Sequence, residues 1–126
     1  MAARPGRKAG RLSRSAEFDR VFRQGRSFGN RHLVLHVFPR PGAEADRVRI
    51  GLSVSRKVGG AVVRNKVKRL LREAWAVVGD RVPDDHDVVV VARPEARDLA
   101  EREGLAGVQA ALAELVEKAA RREAKA

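Results

Sequence analysis

The sequence predicts a small α/β (α+β) two-layer sandwich, with helices on one side of a mixed sheet of about four strands. Two segments alternate apolar and polar residues with the two-residue period of a strand, and a third is almost entirely valine. Three further segments repeat apolar residues with the period of a helix. The predicted order along the chain is α-β-β-β-α-β-α, and 126 residues suit a single domain.

The composition indicates a folded protein with a polyanionic partner. Hydrophobic residues make up 44% of the chain, and 27 Lys and Arg against 16 Asp and Glu give a net charge of +11. Such an excess attracts nucleic acids and anionic membrane surfaces alike. The absence of cysteine excludes disulfides and thiolate metal sites and fits a reducing cytoplasm. No apolar run approaches the roughly 20 residues that span a bilayer, so we expect a cytoplasmic protein without a membrane partner.

A basic arm and a first helix are predicted at the start of the chain. Residues 1–12 place basic residues among Gly, Pro and Ala without periodicity, which predicts a flexible arm. Ser15 suits the N-cap of a helix that ends at about Gln24. The apolar residues of this helix share one side through i, i+3 and i+4 spacing: Phe18, Val21 and Phe22. From this periodicity alone, Phe18 and Phe22 are expected in the core.

The first strands of the sheet are predicted next. Residues 25–30 form a turn or a very short strand, and residues 32–38 alternate as a strand should. The proline-containing segment 39–46 cannot continue a ladder, so we expect an exposed loop. Residues 47–55 again alternate strongly. We expect this strand to pair antiparallel with residues 32–38.

A basic helix, a buried strand and a last helix complete the predicted fold. The basic helix spans residues 61–78, and residues 87–93 are nearly all valine, which predicts a strand buried on both sides. The last helix follows Pro94 and ends in a frayed tail at residues 121–126, so that the folded domain covers residues 13–120. The apolar stripe of the last helix comprises Leu105, Val108, Leu112, Leu115, Val116 and Ala119.

The basic helix separates positive charge from apolar residues. At about 100° per residue its polar side falls within an arc of roughly 140°, which holds Arg64, Asn65, Lys68, Arg69 and Arg72. The opposite side holds Val63, Val67, Leu70, Leu71, Ala74, Val77 and Val78. Glu73 is the only acidic residue of this helix, whereas a solvated helix normally mixes both signs. The one-signed face favours nucleic-acid binding over a simple solvated surface.

Other residues are candidates for contacts with the same polyanion. Arg56 and Lys57 extend the positive surface between a strand and the basic helix. Asn65 could form a hydrogen bond with a sugar or a base edge, or with a backbone group at the N-terminus of the helix. His36 and Phe38 share one face of a strand and could form the base of a groove. Exposed rings in such a groove can stack on nucleotide bases.

An acidic cluster precedes the valine-rich strand at Asp84, Asp85, His86 and Asp87. Neighbours at the start of a strand cannot all point inward, so a turn is favoured over a metal site. A hydrolytic nuclease commonly needs carboxylates that converge from separate elements, and the sequence indicates no such second group. It also has no Gly-rich phosphate loop and no nucleophile elbow. We therefore expect neither catalytic residues nor metal ligands in this chain.

The segment 51–73 closely resembles the signature of the protein subunit of bacterial ribonuclease P, a Gly-Leu-Ser-Val-Ser strand followed by an Arg-Asn-Arg-type basic helix. Lys66 stands where many relatives have arginine, which keeps the charge but loses the guanidinium fork. Further matching stretches lie at residues 17–25, 30–35 and 88–94. The resemblance covers roughly residues 12–120.

The resemblance implies a function for this surface. In that family an RNA subunit removes the 5′ leader of precursor tRNA with bound Mg²⁺, and the protein contacts the catalytic RNA and the leader. The contacts expected with the catalytic RNA, near its metal ions, are Arg56, Lys57, Arg64, Asn65, Lys66, Lys68, Arg69 and Arg72. The expected leader groove is lined by Phe18, Phe22, Val34 and His36. The RNA would hold most of the Mg²⁺, and no obligate protein partner is expected.

Two further expectations come from the resemblance alone. It implies a left-handed crossover around the basic helix, against the usual right-handed rule. It also places Phe18 and Phe22 in the groove rather than in the core. His36 takes a position that is often tyrosine in relatives, where an imidazole offers less stacking area and can titrate.

Two rival functions share some of these features. A stand-alone RNA-binding or ribosome-associated module would use the same basic helix without stimulating tRNA processing. A protein-only nuclease would cleave RNA without an RNA subunit. The missing carboxylate set argues against the nuclease, and the basic motif in its strand-turn-helix setting argues against the stand-alone module.

Overall fold

A computed structural model describes residues 10–12, 15–39, 48–83 and 86–125. The elements in chain order are β1 (Gly10–Arg11), α1 (Ser15–Gln24), β2 (Arg26–Gly29), β3 (Leu33–Pro39), β4 (Arg49–Val54), α2 (Ala61–Val78), a 3-10 turn (Gly79–Arg81), β5 (His86–Ala92) and α3 (Glu95–Lys125). The predicted α+β class and the order of the main elements are confirmed. Arg40 and the rest of the predicted loop to Asp46 lie outside the described residues.

The sheet is mixed and has the order β1-β4-β5-β3-β2. Strand β5 runs parallel to β4 and antiparallel to β3, while β2 pairs antiparallel with β3. Val88, Val89 and Val90 of β5 are 0% exposed. The prediction of a strand buried on both sides is therefore confirmed, because β5 has a strand on each edge and side chains packed on each face.

The predicted antiparallel pairing of residues 32–38 with residues 47–55 is wrong. Strands β3 and β4 both pair with β5 and lie on either side of it. Alternation defines which side chains share a face, but it does not define the neighbour of a strand. The valine-rich β5 takes the central place, since it has the fewest polar groups to keep in water.

The sheet carries side chains on both faces. On one face the main core is formed by residues such as Leu35 and Val90 with α2 and α3. On the opposite face α1 packs through Val21 on Phe38 and Val89. The expectation of helices on one side only is therefore wrong for α1. This helix covers only part of its face, because its apolar stripe is short.

The chain ends depart from the predicted domain boundaries. Gly10 and Arg11 pair with β4 as a parallel edge strand, and Leu12 is 6% exposed. The Leu12 backbone N–H donates to the carbonyl of Ile50 at 3.0 Å, so residues 10–12 belong to the fold rather than to an arm. Residues 1–9 lie outside the described part. At the other end α3 continues to Lys125, through most of the predicted tail.

The last helix buries the stripe that its sequence predicts. Val108, Leu112 and Leu115 are at most 2% exposed. Gly104 interrupts α3 with φ 58° and ψ −146°, a conformation that side chains with a Cβ rarely adopt. The connection from β4 through α2 joins parallel neighbouring strands, and its left-handedness stays a prediction. None of the described helices combines the length and the apolarity that a bilayer crossing requires.

Candidate nucleic-acid interface

Helix α2 is fixed to the core by one side and leaves the other side in solvent. Val67, Leu70, Leu71, Ala74 and Trp75 are buried. This confirms the predicted apolar side except at its margin, where Val77 is 57% exposed. The helix starts after Gly60, which has an extended backbone and no side chain that could cap the helix.

The predicted basic residues of α2 lie along its outward side. Asn65, Lys66, Arg69 and Arg72 are exposed, and Arg64 and Lys68 are half-buried at the flank. The Arg64 side chain donates from Nε to the Gly59 carbonyl at 3.1 Å, which ties it to the preceding turn.

One acidic residue neutralises part of this surface. Arg69 Nη1 lies 3.1 Å from Glu73 Oε2, and both side chains are about half exposed (61% and 46%). Within the described ranges, the other cations of α2 form no ion pair. Arg72 is therefore more available to a phosphate than Arg69 is.

Arg56 and Lys57 extend the positive surface of α2 as predicted. Both are exposed and lie in the turn between β4 and α2. The Lys57 backbone N–H donates to Ser55 Oγ at 3.3 Å, and the Val58 N–H donates to the Ser55 carbonyl at 3.0 Å. Val58 is 2% exposed and anchors the turn in the core.

The predicted groove residues come together on the face of the sheet that α1 partly covers. Phe22 stands edge-on to His36, with ring centroids 4.8 Å apart and an interplanar angle of 89°. The Phe18 and Phe22 centroids are 6.4 Å apart. Val34 is half-buried and pairs with Val91 across the β3–β5 ladder. These aromatic and aliphatic groups form an open surface beside α1.

The two phenylalanines of α1 differ in their surroundings. Phe22 is 41% exposed, so the periodicity-based expectation of a core position is wrong for it. Phe18 is half-buried beside Gly51 of β4. A Cβ added at Gly51 would come within 2.5 Å of Phe18 Cζ, so the glycine makes room for the ring. The absence of a side chain at Gly51 of β4 thus lets the Phe18 ring lie against the sheet at the groove.

His36 lies in the groove as a mainly neutral group. Burial disfavours the charged imidazolium and lowers the pKa of His36 below 6.5. A neutral imidazole offers one hydrogen-bond donor and one acceptor beside the Phe22 ring.

An ion cluster that sequence reasoning missed holds α1 to the sheet. Arg49 forms hydrogen bonds with Asp87 of β5 and with Glu17 of α1, each at 2.8 Å. The hydrogen bonds to Asp87 raise the pKa of Arg49. Asp87 belongs to the acidic cluster considered for metal, of which Asp84 and Asp85 lie outside the described residues, and here its carboxylate is held by arginine. The only sequence feature that pointed to this ion cluster was the position of Arg49 and Asp87 at corresponding ends of two predicted strands.

Arg93 was also missed as a candidate, although it ends the valine-rich strand. It is exposed, and its Nη2 lies 3.3 Å from the place that a Cβ of Gly29 would take. Gly29 pairs with Val34. The Arg93 guanidinium therefore lies at the edge of the groove, where a nucleic-acid backbone could meet it.

The comparisons with known proteins agree with this arrangement. Residues 7–119 match the Ribonuclease P family model. The ribonuclease P protein component of Shouchella clausii is 43% identical over 113 residues, which cover 90% of this chain and 88% of that protein. That of Clostridium acetobutylicum is 46% identical over 86 residues, which cover 68% and 71%.

Solved structures give the same result. The Staphylococcus aureus RNase P protein superimposes with a TM-score of 0.76 at 34% identity, covering 89% of this chain and 96% of that one. The Thermotoga maritima RNase P protein gives 0.74 at 31% identity, covering 86% and 96%. With its basic helix, its groove and these relatives, the chain belongs to the family of bacterial ribonuclease P protein components.

Proposed function

We propose that this chain binds the catalytic RNA of ribonuclease P through α2 and the preceding turn, and the 5′ leader of precursor tRNA through the groove beside α1. The observation that carries the proposal is the separation of two surfaces. The cationic side of α2 points away from the core, and Phe22 is exposed on the opposite face of the sheet. One protein can therefore contact two RNA segments at once.

The two surfaces suit two kinds of contact. The α2 side chains and Arg56 offer charge and guanidinium forks, which match phosphates of a folded RNA. The groove offers rings and aliphatic side chains, on which the bases of a single strand can stack. The protein would thereby raise the affinity of the holoenzyme for precursor over mature tRNA.

Magnesium is assigned mainly to the RNA subunit in this proposal. Among the described residues, no three His, Asp or Glu side chains lie close enough together to hold an ion. The carboxylates of Glu73 and Asp87 form ion pairs with Arg69 and Arg49, respectively. The protein would lower the magnesium requirement indirectly, because its cations neutralise phosphates that otherwise repel one another.

The proposal is tested by leader cleavage of a precursor tRNA at low magnesium. Three reactions are compared: a bacterial ribonuclease P RNA alone, this protein alone, and both together. Cleavage that is much faster in the mixture supports the cofactor role. Tight RNA binding without stimulation would instead support a stand-alone RNA-binding module. Cleavage by the purified protein alone would mean that the chain holds an active site.

A double variant tests the part that α2 plays. Arg64→Ala with Arg69→Ala should weaken assembly with the catalytic RNA strongly, because two cations leave the same face. Unchanged activity of the mixture at low magnesium would contradict this role for α2.

A further inference from the structure

Val62 is the most exposed of the large hydrophobic residues in the described part of the chain. It is 84% exposed, against 57% for Val77 and 41% for Phe22. It lies in the first turn of α2, directly after the Gly59-Gly60 turn. A side chain so exposed contributes almost nothing to the core.

The position of Val62 on α2 places it among cations. At about 100° per residue, Val62 projects roughly 20° from Arg69 and 40° from Lys66 around the helix axis. The buried side, which includes Leu71, lies on the opposite side of the helix. Val62 is therefore an apolar group on the solvent side of α2, at the N-terminal end of its cationic surface, about one turn from Lys66 and two turns from Arg69.

Val77 provides the contrast on the same helix. It projects roughly 20° from the buried Leu70, so its exposure is that of a residue at the edge of the core. Its neighbours one turn away, Glu73 and Asp80, are acidic. An RNA strand would be repelled there, while Val62 lies where positive charge attracts it.

We infer that Val62 packs against the base of an unpaired nucleotide in the RNA that α2 binds, an inference that rests on the proposed function. The surrounding Lys66 and Arg69 would take the phosphates, and the base is the part of the nucleotide that accepts an apolar group. In a duplex the bases are stacked, so the contact requires an unpaired nucleotide. The charge around Val62 fits RNA rather than a second copy of this chain, which has a net charge of +11.

The test compares Val62→Thr with the matched control Val77→Thr in the full chain. Threonine keeps the β-branched shape and replaces one methyl group by a hydroxyl group. Dissociation constants for a bacterial ribonuclease P RNA are measured from about 0.1 to 0.5 M KCl. Val62→Thr should weaken binding about 3- to 10-fold at every salt concentration, with the slope of log Kd against log salt unchanged. Val77→Thr should leave both quantities as in the wild type.

Three outcomes would overturn the inference. One is a Val62→Thr affinity equal to that of the wild type. Another is an equal loss of affinity for a fully paired RNA duplex, because a duplex offers no free base. The third is reduced self-association of the free chain in sedimentation with unchanged RNA affinity, which would place a second copy on Val62.

A failure of the proposed function is distinguishable from these outcomes. In that case the wild-type chain would not stimulate leader cleavage by the catalytic RNA at all. Circular dichroism of both variants checks that α2 is intact, which is expected because both side chains are largely in solvent.

Discussion

The guanidinium of Arg49 grips the carboxylate of Asp87 through two parallel hydrogen bonds, Nε to Oδ1 and Nη2 to Oδ2, both of 2.8 Å. The two residues are register partners on β4 and β5, and Asp87 is 1% exposed. The remaining nitrogen, Nη1, reaches Glu17 of α1 at 2.8 Å. One side chain therefore ties the two parallel strands to the helix that carries Phe18 and Phe22.

Arg49→Ala should destabilise the fold, because it leaves the Asp87 carboxylate buried without its guanidinium. Loss of one partner of a buried pair costs about 3–5 kcal/mol, and the 30% exposure of Arg49 places the expected loss of unfolding free energy near 3 kcal/mol. Urea denaturation measures it. Arg97→Ala is the control, since the exposed Arg97–Glu101 pair should contribute less than about 1 kcal/mol. Equal small effects of both substitutions would contradict a structural role for Arg49.

The Arg49 cluster marks the limit of what could be predicted from this sequence. Periodicity locates the elements and their faces, so the buried β5 and the cationic side of α2 were predictable. Periodicity cannot say which strands are neighbours, and the β3–β4 pairing was wrong for that reason. Arg49 and Asp87 are 38 residues apart in the chain and meet only because β4 lies beside β5.

The groove was predictable only in part for a related reason. Helical spacing shows that Phe18 and Phe22 share a side, but it does not show how much of the sheet α1 covers. The resemblance placed both rings in the groove, and the exposure of Phe22 agrees with that placement. The space under Phe18 depends on Gly51, a residue whose lack of a side chain carries no periodic signal.

Glu73→Gln should strengthen binding to the catalytic RNA. The carboxylate holds Arg69 at 3.1 Å and adds a negative charge to the surface that is proposed to bind RNA phosphates. An exposed pair contributes up to about 1 kcal/mol, so a roughly two- to five-fold lower Kd at low salt is expected. The gain should shrink as salt is raised, because the interaction is screened.

Arg72→Gln and Arg69→Gln compare the RNA affinity lost on removal of an arginine without an ion pair and of the arginine that Glu73 holds. Arg72 has no ion pair in the described part of the chain, so its removal should cost more affinity than removal of Arg69. A variant that binds one phosphate fewer should show a salt slope smaller by about 0.7 to 0.9. A larger loss of affinity from Arg69→Gln would mean that Glu73 releases Arg69 in the complex.

Phe22→Ala should weaken binding of precursor tRNA to the holoenzyme more than binding of mature tRNA. Stacking of a base on an aromatic ring contributes about 1–3 kcal/mol, which corresponds to a roughly 5- to 150-fold higher Kd for the precursor. Val21→Ala is the control, because Val21 is 0% exposed. That substitution should lower the unfolding free energy by about 2 kcal/mol without changing the ratio of the two affinities. If Phe22→Ala weakened the binding of precursor and mature tRNA equally, Phe22 would have a structural role and would not contact the leader.

His36 should make the fold less stable in mild acid. Burial lowers its pKa in the folded chain below 6.5, the value of an exposed histidine. Well above pH 6.5 the imidazole is neutral in both states and contributes no pH dependence. As the pH falls through 6.5, the unfolded chain takes up the proton first, so the free energy of unfolding decreases until the pH passes the folded pKa.

The comparison that isolates this effect is wild type against His36→Gln, which does not titrate in that range. The unfolding free energy of the wild type minus that of His36→Gln should be constant above about pH 7. This difference should decrease as the solution is acidified. Urea denaturation at a series of pH values measures the difference, and an NMR titration of the His36 ring gives its pKa directly. A constant difference across the range would mean that the groove leaves His36 as hydrated as it is in the unfolded chain.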